Sequence, residues 1–171
     1  APVADSAAAS KMILGVDGAF QLPFGDLADA TGMGFGALLR FEYNVMPQLN
    51  LTARVGYIYS LNKEISQTVP LMGTIKAKYG MDNIPIWVGA KYFLTDMIYG
   101  GVEVGANMLK GKVDMNGVSA SSTETKFGAN VGAGVLLSGL DLRAQLEILN
   151  LSEAGKSMAL MVNVGYNFLA F

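Results

Sequence analysis

The chain has 171 residues and a net charge of −2, a length that suits one domain and a charge that offers nucleic acid no electrostatic foothold. It holds neither cysteine nor histidine, which excludes disulfide-stapled domains and cysteine-linked lipid anchors, and also Ser-His-Asp triads, histidine acid–base catalysis and most zinc sites. Apolar residues make up 51% of it but never run long enough for a membrane helix, whereas a barrel that crosses with alternating strands remains open.

Ala1 to Ser10 reads as a flexible tail left after signal-peptide removal, and residues 11–171 as one folded unit. The first predicted strand, Met12 to Leu22, sets Met12, Leu14, Val16, Phe20 and Leu22 on one face. Ile13, Gly15, Asp17, Ala19 and Gln21 take the other, the period of two that marks a strand. Pro23 to Gly32 is a connection of turn formers. The second strand alternates Met33, Phe35, Ala37, Leu39, Phe41, Tyr43 and Val45 with Gly34, Gly36, Leu38, Arg40, Glu42 and Asn44. A tight turn at Met46 to Gln48 leads into the third. There Leu49, Leu51, Ala53, Val55, Tyr57 and Tyr59 oppose Asn50, Thr52, Arg54, Gly56, Ile58 and Ser60.

A polar connection is expected from Asn62 to Thr74. The fourth strand has apolar residues in odd phase from Ile75 to Met81 and in even phase from Ile84 to Tyr92. The slip predicts a bulge, or the strand's true start, at Asp82-Asn83, and Pro85 adds irregularity because it lacks a ladder donor. After a turn at Thr95 to Met97, the fifth strand sets Val102, Val104, Ala106 and Met108 against Tyr99, Gly101, Glu103, Gly105 and Asn107. Asp114 to Thr125 reads as a second long polar connection. The sixth strand opposes Phe127, Ala129, Val131, Ala133, Val135 and Leu137 to Gly128, Asn130, Gly132 and Gly134. The seventh, after a turn at Ser138-Gly139, opposes Leu140, Leu142, Ala144, Leu146 and Ile148 to Asp141, Arg143, Gln145 and Glu147. The last carries Met158, Leu160, Val162, Val164, Tyr166 and Phe168 against Ala159, Met161, Asn163, Gly165 and Asn167. Phe171 is out of phase with Phe168, so Leu169 to Phe171 either overhangs or follows a bulge.

About eight strands near the roughly 10 residues of a tilted membrane strand predict an all-β fold, a closed antiparallel up-and-down transmembrane barrel. A soluble ligand-binding barrel with an apolar interior is the rival. Three features favour the membrane. Connections after the second, fourth and sixth strands are tight and the others longer, the asymmetry of outer-membrane barrels. Aromatic residues gather near strand ends as two girdles around an aliphatic belt: Phe41, Tyr43, Tyr92, Tyr166 and Phe168 at one height, Phe20, Phe35, Tyr57, Tyr59 and Phe127 at the other. The opposite face is too sparsely charged for a water-exposed surface. Its charges are Asp17, Arg40, Glu42, Arg54, Lys91, Glu103, Asp141, Arg143 and Glu147, four positive against five negative, which suits pairing inside a narrow lumen. Glycines beside them leave room for long side chains to cross.

Across nearly its whole length the chain resembles the small eight-stranded outer-membrane barrels of the OmpA membrane-domain and OmpX type. Asn83-Ile-Pro-Ile-Trp-Val-Gly-Ala-Lys-Tyr-Phe93 and the closing Gly165-Tyr-Asn-Phe168 carry that resemblance. It implies a location in the bacterial outer membrane with both termini periplasmic. It also implies contact with outer-membrane lipids and lipopolysaccharide, and an envelope or extracellular protein as partner.

The lumen charges either plug the barrel or line a narrow passive channel for small solutes. An eight-stranded interior is about filled by its own side chains, so plugging is favoured, with Arg40, Arg54 and Arg143 paired to Glu42, Glu103 and Glu147. Lipid-modifying catalysis is disfavoured because Ser60 and Ser138 have no histidine to activate them, and no enzyme activity, cofactor or metal site is expected. Gly32-Met-Gly-Phe-Gly36 superficially matches a phosphate loop, but its spacing is that of lumen-facing spacers in a strand. Asp26 and Asp29 read as solvated turn carboxylates, and Asn50-Leu-Thr52 as a chance sequon. Trp87 falls in the inward phase, which means either burial in the barrel or a register one residue off. The expected role is structural or interactive, through the connections around 62–74 and 114–125. No peptidoglycan-binding domain is expected beyond the barrel.

Overall fold

The computed structural model describes residues 11–69, 73–115 and 118–171, so the tail expected over residues 1–10 lies outside the described residues. The strands are β1 (Met12–Phe24), β2 (Gly34–Met46), β3 (Leu49–Ser60), β4 (Lys63–Val69), β5 (Gly73–Phe93), β6 (Ile98–Met115), β7 (Val118–Leu137), β8 (Leu140–Ile148) and β9 (Met158–Ala170). A one-turn helix, α1 (Asp26–Ala30), follows β1, and a short 3₁₀ segment, Leu151–Lys156, precedes β9. Apart from β3 and β4, neighbours in sequence pair antiparallel; β9 returns to β1, and β3 and β4 share β5 as their partner. β3 and β4 therefore act as one long strand, and the closed ring holds eight.

The stagger of the ring follows from its register. Paired residues run Met12–Tyr43–Leu51–Ala90–Val102–Val131–Leu146–Leu160–Leu22, so one circuit begins at Met12 and returns to the same strand at Leu22. Such a stagger tilts the strands by roughly 35–45° and leaves an interior that side chains fill.

The alternating residues sort as their period requires. Val16, Leu39, Val55, Val88, Val104 and Val131 stand about half exposed on the outer wall. Exposed with them are Phe20, Phe35, Phe41, Tyr43, Tyr57, Tyr59, Tyr92, Phe127, Tyr166 and Phe168. Phe35 and Tyr59 are cross-strand partners with ring centroids 5.8 Å apart. The nine lumen charges are all buried. This is a polar interior inside an apolar wall, the reverse of a soluble ligand-binding barrel, and the soluble alternative falls with it.

One rim carries the tight connections, Pro47-Gln48, Leu94 to Met97, and Ser138-Gly139. The last has positive φ at both residues (48° and 91°), the left-handed backbone that two-residue hairpins need and that glycine adopts freely. At the other rim the structure departs from the sequence reading. The polar connections expected at 62–74 and 114–125 are largely strand. β4 pairs with β5 from Lys63–Tyr79 to Val69–Gly73, with Pro70 to Met72 outside the described residues, and β6 pairs with β7 out to Met115–Val118. The backbone ladder thus continues where the alternation of apolar residues in the sequence does not. The Asn-Gly dipeptide between Met115 and Val118 is the strongest short hairpin signal in the chain.

The bulge expected at Asp82-Asn83 is absent, since β5 and β6 keep one register from Ala77–Met115 to Phe93–Tyr99. The irregularity lies on the other neighbour. Ile58 pairs with Asn83 and Lys63 with Tyr79, so β3–β4 holds one extra residue at Leu61-Asn62. Opposite it, the Asn62 side chain fills the space a Cβ on Gly80 would need. Pro85 leaves a gap in the β3–β5 ladder between Val55–Ile86 and Ile58–Asn83, without a register change, as its missing N–H predicts. Of the odd-phase apolar residues, Met81 packs inward on Leu27, Leu149 and Ala159, an apolar cap under α1.

The chain end resolves in favour of a bulge. Gly15 pairs with Asn167 but Leu14 with Leu169, and Met12 and Phe171 exchange backbone hydrogen bonds of 2.9 and 3.0 Å. Because Met12 also faces Tyr43, the skipped residue returns Phe171 to the outer wall, where it is exposed.

Replacing Val104 with Arg on the lipid face is expected to cost about 2–4 kcal/mol in urea unfolding from lipid vesicles. Thr123→Arg, above the belt, is expected to stay within about 0.5 kcal/mol.

Candidate functional site: the filled lumen

Strand alternation delivers inward side chains in layers, and the tilt brings residues far apart in sequence to one height. In the layer nearest the tight turns, Arg40 from β2 lies at the centre. Its Nε donates to Asp17 Oδ1 at 3.1 Å and its Nη2 to Asn167 Oδ1 at 2.9 Å. Its Nη1 is paired with both Glu42 and Asp141. Lys91 Nζ donates to the same two carboxylates, at 2.6 Å to Glu42 and 2.8 Å to Asp141. Tyr99 donates its hydroxyl proton to Asp141 and accepts from Arg143 Nε at 3.0 Å, and its ring lies 4.2 Å from Lys91 Nζ, within cation–π range.

The next layer converges on Glu103. Arg54 holds it by a two-point contact, Nε to Oε1 at 2.9 Å together with Nη2 to Oε2, the fork geometry specific to arginine. Thr52 Oγ1 (3.0 Å) and Asn130 Nδ2 (2.9 Å) donate to the same carboxylate, and Arg143 Nη1 approaches it at 3.4 Å. Arg54 Nη2 also reaches Gln145 Oε1 at 3.0 Å. The two layers share Arg143, and Arg54 approaches Asp17 at 3.8 Å, so the charges form one network.

Above it, Ala19, Leu38, Ile58 and Met161 form an apolar layer. Beyond the charged layers, Glu147 accepts from Gln21 Nε2 at 2.6 Å, and Trp87 donates its indole N–H to Asn107 Oδ1 at 3.2 Å. The cap of Leu27, Leu149, Ala159 and Met81 ends the column. A cavity of about 10 Å³ among Thr52, Lys91, Tyr99, Glu103, Asn130 and Arg143 has room for no more than one water.

Glycine makes this density feasible at two close approaches. A Cβ on Gly134 would strike the Tyr99 ring, and one on Gly15 would meet Arg40 Nη2 at 2.8 Å. With all these polar groups removed from water, the charges of the two layers are tolerable only because opposite charges and hydrogen bonds meet them.

Of the residues singled out by sequence, Asp17, Arg40, Glu42, Lys91 and Asp141 share one layer, and Arg54, Glu103 and Arg143 meet in the next. Glu147 stands apart and takes a glutamine amide instead of an arginine. Trp87 is inside the barrel, 1% exposed, which decides between the two readings left open by the sequence in favour of burial without a slip in register. Tyr99, Asn167, Asn130, Thr52 and Gln145 went unremarked as network members. They were readable as inward-phase polar residues, but their partners come from strands up to four positions around the ring, which no local pattern reveals. Asp82 also escaped notice. It is buried, yet it is held by Tyr57 and Lys112.

Among the described residues, no group of three or more acidic, histidine or cysteine side chains has the geometry to hold a metal ion. The sequence model of the family described as outer membrane protein beta-barrel domain matches residues 1–168. The structure is similar to that of Ail, the attachment invasion locus protein of Yersinia pestis, at TM-score 0.56 and 15% identity, covering 93% of this chain and 97% of that one. Neisserial surface protein A matches at TM-score 0.52 and 16% identity, covering 94% and 99%. The N-terminal β-barrel domain of Pseudomonas aeruginosa OprF matches at TM-score 0.52 and 14% identity, with the same coverage. At these identities the likeness is one of fold. Comparison with the curated proteins gave no match.

Arg40→Ala removes the guanidinium shared by Asp17, Glu42 and Asp141 and leaves them Lys91 and the more distant Arg54 and Arg143, both at 3.8 Å. Loss of one member of a buried ionic network costs about 3–5 kcal/mol, and urea unfolding in vesicles is expected to show a loss of that order. Glu124→Ala, in the exposed part of β7, is expected to show almost none.

Proposed function

Because the chain belongs to the outer membrane protein β-barrel domain family, we propose that this bacterial outer-membrane protein is a plugged barrel, a structural anchor and interaction platform without an enzymatic step. The observation that carries the reading is the lumen. Two charged layers, an apolar layer and an apolar cap lie in series, around a cavity no larger than one water. A narrow channel for small solutes, the rival, would require both the Arg40 pairs and the Leu38–Ile58 layer to part.

The two ends of the barrel, Met12 and Phe171, are bonded to each other, and Asn167 N–H donates to Gly139 O (2.8 Å) at the rim of tight turns. Short turns characterise the periplasmic side of such barrels, so we place both termini in the periplasm and the tall β4–β7 hairpins outside the cell. The apolar belt and girdles then face membrane lipids, with lipopolysaccharide at the upper girdle, and the hairpins face an envelope or extracellular protein. Catalysis has little to build on, since the chain lacks histidine and cysteine and its buried carboxylates are engaged in the network.

Planar-bilayer recordings of the purified protein are expected to show no stable conductance of porin size; a long-lived open state of that size would refute the plug. Arg40→Ala is expected to remain closed as well, because Ala19, Leu38, Ile58 and Met161 still fill the next layer.

A further inference from the structure

The alternation that builds the charged layers delivers one more set of inward side chains at the rim of tight turns. Ile13 from β1, Asn44 from β2, Asn50 from β3, Phe93 from β5 and Leu136 from β7 share the inward phase of their strands. With Ala170, the cross-strand partner of Ile13, they line a cup of about 510 Å³, a size usual for ligand sites. Two of the tight turns form its lip.

The floor of the cup is closed. Asn50 Nδ2 donates to Glu42 Oε2 at 2.8 Å, and Glu42 is held in turn by Lys91 in the charged layer. One wall is amide, with Asn44 Nδ2 donating to Asn50 Oδ1 at 2.8 Å. The other is apolar, and its Phe93 ring is braced by Tyr99, with centroids 5.5 Å apart. Being inward, these apolar residues face away from lipid, yet Ile13, Phe93 and Leu136 are only half-buried. Apolar surface gathered in a concave, water-facing site gains from an apolar occupant.

The path of the chain names that occupant. Asn44 N–H donates to Lys11 O at 2.8 Å, so residues 1–10, which lie outside the described residues, join the barrel beside the amide wall. They read Ala-Pro-Val-Ala-Asp-Ser-Ala-Ala-Ala-Ser, small side chains with an apolar peak at Pro2-Val3-Ala4. Asp5 to Ser10 can span about 20 Å when extended, enough to turn back over the lip. A tether of that length holds its end at an effective concentration in the millimolar range, which a free segment of another protein would have to exceed. Proline restricts the segment beforehand and lowers the cost of ordering it.

We propose that Pro2-Val3-Ala4 folds back into the cup against Phe93 and Leu136, so that a segment of this chain stoppers the tight-turn mouth of its own barrel. This goes beyond the plugged-lumen reading and stands whether or not the charged layers part.

The chain lacks cysteine, so an introduced one is unique. The full chain in phospholipid nanodiscs is labelled with a neutral, water-soluble maleimide at Ala170→Cys, a small change in the cup wall. Thr123→Cys, in the exposed part of β7, is labelled in parallel. Adding Val3→Asp is expected to speed labelling of Ala170→Cys at least tenfold and to leave the Thr123→Cys rate unchanged. In a second arm, Val3→Cys combined with Ala170→Cys is expected to form a disulfide within one molecule under mild oxidation. Heat-modifiable gel mobility checks that every variant is a closed barrel. Equal labelling of Ala170→Cys with and without Val3→Asp overturns the proposal and leaves the cup to water or another protein. A disulfide that joins two molecules also overturns it, giving the cup to a second copy, as does the formation of no disulfide.

Discussion

Closure of the backbone ladder is the constraint on which everything else depends. Inside hydrocarbon an unpaired N–H or C=O has no water to turn to, so strands can cross only as a ring without edges. The pairing of β9 with β1 completes that ring. It survives even where residues disagree with it, through the skipped residue at Phe168 and the gap opposite Pro85. Eight strands at this stagger then set the diameter, and the diameter decides that side chains fill the interior.

That interior has to be polar because the exterior is not. With the aliphatic belt committed to lipid, the alternate positions inherit glycine, amide and charge, and these must satisfy one another without solvent. Arg40 and Glu103 are the two foci because each matches several partners at once: a guanidinium with five donors beside three carboxylates, and a carboxylate that accepts from Thr52, Arg54, Asn130 and Arg143. Replacing either focus with a smaller charge would leave lone pairs or protons unmatched, which is the costly half of the asymmetry in hydrogen-bond energetics. Gly15 and Gly134 belong to the same device, because the space they vacate is where Arg40 and Tyr99 lie.

Above the belt the constraint relaxes, and the shape of the protein changes with it. β8 stops at Ile148, while β5, β6 and β7 continue as a tall sheet. Water can solvate an edge there, so closure is no longer compulsory. The free side of β7 is a direct consequence: the same strand is sealed on both sides in lipid and open on one side beyond it.

The sequence by itself determined the fold class, the eight crossings, the inward or outward phase along most of each crossing, the outward aromatic residues and the nine buried charges. All of these follow from a period-two pattern that lipid on one face makes unusually clean. It put Trp87 in the inward phase but left burial and a one-residue slip both open, and the structure decided for burial. Only the tertiary structure decided which charges meet, because partners such as Arg40 and Asp141 come from strands set together by the stagger of the ring. It also decided that 62–74 and 114–125 are largely strand, since an amphipathic period exists only where one face is apolar. The misplaced bulge at Asp82-Asn83 has the same origin. A change of apolar phase there marked a change of environment, from lipid outside to the Leu27 cap inside, and not a break in the strand.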